Sequence, residues 1–340
     1  RIVGWWSAFT MATAAAFNYG SLLAIRFLFG AGEAGAWPNA AKTFSRWIPA
    51  HERGRVQGIF FMGAHLAGGA TPALAGAMLP LLGWRGVFLA FGSLGFLWAV
   101  WWFRWFRDDP AQHPDVNELE LELIREGRRP EAPHGGAGFW GRLLTDRNVA
   151  ALCAAYFANG YGFYFLITWL PAYLAQERGF SKASLSIFAG LPLMLSVFGD
   201  LFGGLVTDHL VKACGLRAGR VGVGSAAYLL AGAAILGAAL TENSVAAAVL
   251  IAVAAAASMF TLAASWATGI DVGGAHSGVL SAAMNTAGQL GGILSPILLA
   301  YLVEWFSNWS LPLLVMCGLY LAAAAAWLAV DPHKRLAPGE

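Results

Sequence analysis

Ile25-Arg26-Phe27-Leu28-Phe29-Gly30-Ala31-Gly32-Glu33-Ala34-Gly35-Ala36-Trp37-Pro38 is an apolar, glycine-rich stretch with two charges and no others between them. Arg26 and Glu33 are seven residues apart. At about 3.6 residues per turn, that spacing places both side chains on one helical face, two turns apart. A charge at bilayer depth costs roughly 2.5 to 3.5 kcal/mol on insertion scales, so a pair there must face protein or a water-filled cavity. The pair reads as a site before it reads as structure.

The rest of the chain supports a membrane setting. Of its 340 residues 58% are hydrophobic and only 12% charged, about half the charge of a soluble globule. Several apolar runs exceed the roughly 18 residues that a bilayer core demands, and the charges fall in short islands between them. The composition therefore predicts an all-α, polytopic membrane protein. A net charge of +2 gives no footprint for nucleic acid. Cys153 and Cys317 lie in apolar runs and Cys214 in a basic loop, with no spacing that points to disulfides, zinc or a reactive thiol.

Cutting at charge islands and turn residues gives about ten spans, near 2–19, 21–45, 56–82, 85–106, 148–176, 183–211, 219–240, 244–269, 275–303 and 309–330. Lys42, Arg46, Arg53, Arg55, Arg104, Arg107, Arg125, Arg128, Arg129, Arg142, Arg147, Lys212, Arg217, Arg220, Lys334 and Arg335 collect on one side of this topology. Only Arg85, Arg178 and Lys182 fall on the other. The bias predicts a cytoplasmic middle loop and C-terminus. The segment 107–147, rich in Pro, Gly, Glu and Arg, reads as a linker between two helical bundles. Within it, Asp115 and Glu118 have the spacing of a capping box ahead of Leu119, Leu123 and Ile124, which predicts a short amphipathic helix. The alternative is a solvated, charged linker.

An internal echo supports two similar halves. Gly68-Gly69 precedes Pro72 and then Trp84, as Gly291-Gly292 precedes Pro296 and then Trp309. If the halves are equal, the first lacks two spans, in keeping with a chain that opens at Arg1 within an apolar run.

These residues resemble the major facilitator superfamily, and within it the anion:cation symporter branch of organic-acid and sugar-acid transporters. The stretch Arg26 to Pro38 is similar to the branch's fourth helix, and Trp47-Ile48-Pro49-Ala50-His51-Glu52-Arg53-Gly54-Arg55 to the cytoplasmic turn after it. Gly83-Trp84-Arg85 resembles the entry to helix six, and Trp169-Leu170-Pro171-Ala172-Tyr173 the outer end of helix seven. Gly203-Gly204-Leu205-Val206-Thr207-Asp208, with Arg217 and Arg220 beyond, resembles the second copy of the signature loop; His209 departs from the usual basic residue. The resemblance implies a two-bundle fold with about ten of twelve transmembrane helices present. Residues 1–106 would form an incomplete N-terminal bundle of helices three to six, 107–147 a cytoplasmic linker, 148–330 a six-helix bundle and 331–340 a cytoplasmic tail.

Glu33 is the expected proton carrier, because burial and a movable guanidinium pull its proton affinity in opposite directions; relatives use the same glutamate for coupling. A static buried ion pair is the alternative. Arg26 is either its partner or part of a field that attracts an anion. Asp208 and Arg53 are expected in the gate. Asp200 reads as a gating or packing contact, or as a second ionisable site. His65 is nominated for the substrate pocket, where it could donate to a carboxylate or shuttle a proton, with packing as the alternative. Asn159 and Tyr164 are nominated for the substrate pocket, with packing as the alternative. The resemblance adds Ser265 and Trp266 of helix ten and Asn285 and Gln289 of helix eleven, whose amides suit hydroxyl-rich ligands; interhelical bonding is their other reading. Gly30, Gly32 and Gly35 are expected to let helices approach closely.

No phosphate loop, Ser-His-Asp set or His-Glu-x-x-His motif is present, so the energy source is an ion gradient or exchange. No cofactor or metal is expected. The expected partners are a small anionic substrate, protons and the bilayer, with the chain acting as a monomer. The resulting expectation is proton-coupled symport of a sugar acid across the cytoplasmic membrane. The alternatives are an aromatic or dicarboxylic acid transporter, or a membrane sensor of such ligands.

Overall fold

The structure, a computed structural model, describes residues 1–125, 141 and 143–336, and every regular element among them is helical. Arg128, Arg129 and Arg142 of the predicted linker lie outside the described residues. Two compact units divide the chain: residues 1–47 with 67–128, and residues 48–66 with 129–340.

The first unit contains α1 (Ile2–Thr13), α2 (Tyr19–Glu33), α3 (Ala36–Trp47), α5 (Glu118–Arg125) and, from Ala67 onward, α4 (Arg53–Trp105). The single span predicted over 21–45 is two helices. Pro38 has no N–H to bond the Ala34 carbonyl, so the ladder breaks directly after Glu33. Asn18 starts α2 with a reciprocal cap to Ser21. α1 and α2 pack together, and Trp5 donates its indole N–H to the Leu28 carbonyl at 2.8 Å. A Cβ at Gly32 would collide with the Trp5 ring and one at Gly35 with Ile2, whereas Gly30 faces open space. Close approach thus holds for two of the three glycines.

In α4 the two predicted spans run on as one helical stretch, interrupted at Gly83 (φ 62°), a left-handed conformation that glycine adopts without a Cβ clash. Arg85 just beyond donates to the Ala14 carbonyl at 3.1 Å, closing the end of α1. At α5 the cap is Asn117, whose Oδ1 accepts from Glu120 N–H at 2.8 Å; the Asp115 capping box predicted from spacing does not form. The helix starts at Glu118, so Asn117 rather than Asp115 stands at the N-cap and meets the N–H of the third helical residue, Glu120.

The second unit comprises the first turns of α4 together with α6 (Arg147–Thr168), α7 (Leu170–Gln176), α8 (Lys182–Cys214), α9 (Val223–Leu240), α10 (Ser244–Gly273), α11 (Ser277–Phe306) and α12 (Ser310–Leu328). α10 is its spine, buried along most of its length and packed on α8 and α9, while α6 packs on α11. Glycines set these spacings. A Cβ at Gly199 or Gly203 would strike the Ala256 or Phe260 carbonyl of α10, and one at Gly160 or Gly291 would strike backbone across the α6 and α11 contact. Arg178 donates to the Thr241 and Ala238 carbonyls at 2.7 and 2.8 Å and closes α9 as Arg85 closes α1. The internal echo also has a structural form. Trp84 follows Gly83 at φ 62°, and Trp309 follows Ser307 at φ 48°, so each tryptophan opens a helix just after a left-handed residue.

Seven helical stretches among the described residues are long and apolar enough to cross a membrane; the first, Ala50–Trp105, contains the Gly83 break.

Candidate functional site

Three groups of polar residues in the second unit bear on the site. The first is an ion network at the start of α4. Helix starts leave unbonded N–H groups and a partial positive charge. Asp208 of α8 answers both: its Oδ1 accepts from Gly54 N–H at 2.9 Å and its Oδ2 from Arg55 N–H at 2.5 Å. Arg220, completely buried in the turn Ala218–Gly222, donates from Nη1 to Asp208 at 3.4 Å, from Nε to Asp271 at 3.0 Å and from Nη2 to the Ala50 carbonyl at 3.2 Å. Asp271 also accepts from Arg53 Nη1 at 2.7 Å. Two carboxylates and two guanidiniums balance, which burial requires.

α4 comes this close to α8 because both backbones are bare where they cross. A Cβ on Gly54 would meet Asp208, one on Gly58 the Asp200 carbonyl, and one on Gly204 the Gly54 carbonyl. The Gly203-Gly204 pair thus serves two partners, with Gly203 against α10 and Gly204 against α4.

The second group lies further along α4, where Gln57, Phe61 and His65 recur at four-residue spacing on one face. Gln57 is buried and its Nε2 has no partner among the described residues. Phe61 packs on Trp266 with ring centres 5.7 Å apart. His65 Nδ1 lies 2.5 Å from Asp200 Oδ2, and its ring packs on Phe163 at 5.7 Å. Trp266 is buried and donates to the Tyr156 hydroxyl at 3.0 Å.

The third group joins α6 and α11: Tyr164 donates its hydroxyl proton to Gln289 Oε1 at 3.2 Å, and half-buried Asn285 lies one helical turn before Gln289. The remaining nominated residues are turned to packing. Asn159 donates to the Ser258 carbonyl at 3.1 Å, and the Ser265 hydroxyl bonds back to Thr261 of its own helix at 2.9 Å. In the first unit Glu33 is exposed at the last position of α2. Arg26, also exposed, lies over the Phe29 ring at 4.2 Å and makes no ion pair with Glu33.

Among the participants absent from the residues nominated on sequence grounds are Asp271, Arg220 and Tyr156. Asp271 falls just past the predicted end of its span, where it reads as a loop residue; α10 runs on to Gly273 and draws it into the network. Arg220 reads as one of several loop cations, and only its burial distinguishes it from exposed Arg217. Among the described residues no three His, Cys, Asp or Glu side chains gather as a metal site. The three cysteines are free.

Seven long apolar helical stretches among the described residues mark a multi-pass membrane protein, and comparison with known proteins supplies the family. The model of the Major Facilitator Superfamily matches residues 2–296. Probable sulfoacetate transporter SauU of Cupriavidus necator is 32% identical over 334 residues, covering 96% of this chain and 76% of that protein. The hexuronate transporter of Bacillus subtilis is 29% identical, covering 94% of this chain and 75% of that protein. The crystal structure of the E. coli fucose:proton symporter shares the fold, with a TM-score of 0.71 at 13% identity over 97% of this chain and 82% of that one. The chain belongs to the Major Facilitator Superfamily. It is a multi-pass membrane transporter, not an enzyme.

Proposed function

We propose that the protein carries a small hydrophilic organic anion, a sugar acid such as an aldonate, hexuronate or aldarate, together with protons across the cytoplasmic membrane by alternating access. The observation that carries this reading is kinship: relatives named for a hexuronate and for sulfoacetate, both small hydrophilic anions, align over nearly the whole chain. The α6 and α11 group supports it. The Tyr164 hydroxyl, the Gln289 amide and the Asn285 amide offer donors and acceptors matched to a polyhydroxylated acid. Residues 1–106 and 148–330 are the two rocking bundles and 107–147 their cytoplasmic linker, with the C-terminus inside. The Asp208, Arg220, Asp271 and Arg53 network acts as a gate whose bonds exchange as the cycle turns. Glu33, with Arg26 two turns away, takes the proton.

Uptake of labelled hexuronate, glucarate and sulfoacetate into proteoliposomes, with and without an inward pH gradient, tests the reading. Gradient-dependent accumulation that Glu33→Gln abolishes is the expected result. Uptake restricted to aromatic or dicarboxylic acids would reassign the substrate. Binding with no uptake would make the protein a sensor.

A further inference from the structure

Asp200 is completely buried in α8. Its Oδ2 lies 2.5 Å from His65 Nδ1, while its Oδ1 has no hydrogen-bond partner among the described residues. Phe163 of α6 packs on the His65 ring, and Tyr156 of the same helix is the titratable group that the described residues set near Asp200; its hydroxyl accepts from the Trp266 indole of α10. The nearby ions are engaged elsewhere, with Arg53 and Arg220 bonded to Asp271 and Asp208. A lone carboxylate here would carry an uncompensated buried charge, which costs several kcal/mol. One proton removes that cost. It can sit on the imidazole, giving a neutral imidazolium and carboxylate pair, or on the carboxyl beside a neutral imidazole.

We propose that His65 and Asp200 form a second proton-binding site, separate from Glu33, which loads and releases one proton during each transport cycle. His65 is the way in: 14% of its side chain is exposed and none of Asp200's is. A proton taken from water at Nε2 lets the Nδ1 proton pass to Oδ2, and release reverses both transfers. The trigger is the bare Oδ1. When a water or a substrate hydroxyl donates to it, the ionised carboxylate is stabilised and the proton leaves through His65. Substrate and proton occupancy are linked in this way without contact between substrate and imidazole.

The inference rests on the proton-coupled reading, and its test separates the two. Asp200→Asn preserves shape and hydrogen bonding but cannot take up the proton, and His65→Gln removes the relay while leaving the carboxylate. In proteoliposomes given labelled hexuronate, both variants are expected to lose accumulation driven by a pH gradient while exchange at equal pH continues. Exchange also reports that each variant is folded. Wild-type accumulation in either variant overturns the proposal, as does loss of exchange in a His65→Gln protein whose thermal unfolding is unchanged. If the unmodified protein moves none of the acids, the transport reading fails and infrared titration of the protein in lipid decides the pair. A carboxylic-acid band that titrates together with an imidazole band, and is missing from Asp200→Asn, supports it; its absence from the unmodified protein overturns it.

Discussion

The Gly54 N–H is bonded to Asp208 Oδ1 at 2.9 Å, so a carboxylate borne by α8 terminates the first turn of α4. The bond exists because position 54 has no side chain, the Asp208 carboxylate lying where a Cβ would be. Gly54 and Asp208 are thus one device, and neither residue can change alone.

Asp208→Asn keeps one acceptor oxygen for two N–H donors and leaves buried Arg220 short of negative charge. Removing one member of a buried pair costs about 3 to 5 kcal/mol. Thermal unfolding followed with a thiol-reactive dye in a Cys214→Ser background, where exposed Cys214 no longer reacts and buried Cys317 reports, is expected to shift down clearly.

Asp271 is shared by two cations, so its loss and theirs should not add. Asp271→Asn strands Arg53 and leaves Arg220 only Asp208 for a counter-charge, and Arg53→Gln in that background is expected to do less harm than in the native protein. A double-mutant cycle on unfolding should return a coupling of about 0.5 to 3 kcal/mol. Strict additivity would contradict the shared bond.

Glycine positions separate by what a methyl group would meet. Gly204→Ala drives a Cβ into the Gly54 carbonyl and is expected to destabilise by about 1 to 3 kcal/mol. Gly30→Ala enters open space within α2 and is expected to be neutral, or stabilising by up to about 1 kcal/mol through helix propensity. Comparing the two in the same unfolding assay checks the packing directly.

Tyr164→Phe removes one hydroxyl and frees Gln289. If this pair meets the ligand, the apparent KM for hexuronate rises by the equivalent of about 0.5 to 1.5 kcal/mol with maximal rate little altered. Ser265→Ala, which breaks only a bond within α10, is expected to leave KM unchanged.

The helical content is legible in the sequence because apolar runs and charge islands alternate, and each of the ten spans read there is largely helical in the structure. Among the described residues, though, the stretches long and apolar enough to cross a membrane number seven, and the first of them begins at Ala50. Less legible is where a helix breaks or continues. Pro38 divides the second span, and two residues of extra helix bring Asp271 inside. Partnership is least legible of all. His65 and Asp200 are 135 positions apart, and each on its own reads equally well as a packing residue. Their pairing depends on the register of α4 on α8, which the Gly54, Gly58 and Gly204 crossing sets, and a sequence shows glycines without showing what they face.

That crossing has a mechanical consequence. At the level of Gly203 and Gly204, α8 lies against bare backbone on two sides, α10 on one and α4 on the other. Where Gly204 meets Gly54 neither residue carries a side chain to interlock, so α8 and α4 slide past one another there with little resistance. Pulling them apart is different, since it would uncover carbonyl groups in an apolar medium. The segment around Gly204 is therefore built as a linear bearing, free lengthwise and stiff sideways, with the Asp208 bonds as the catch that sets its resting position.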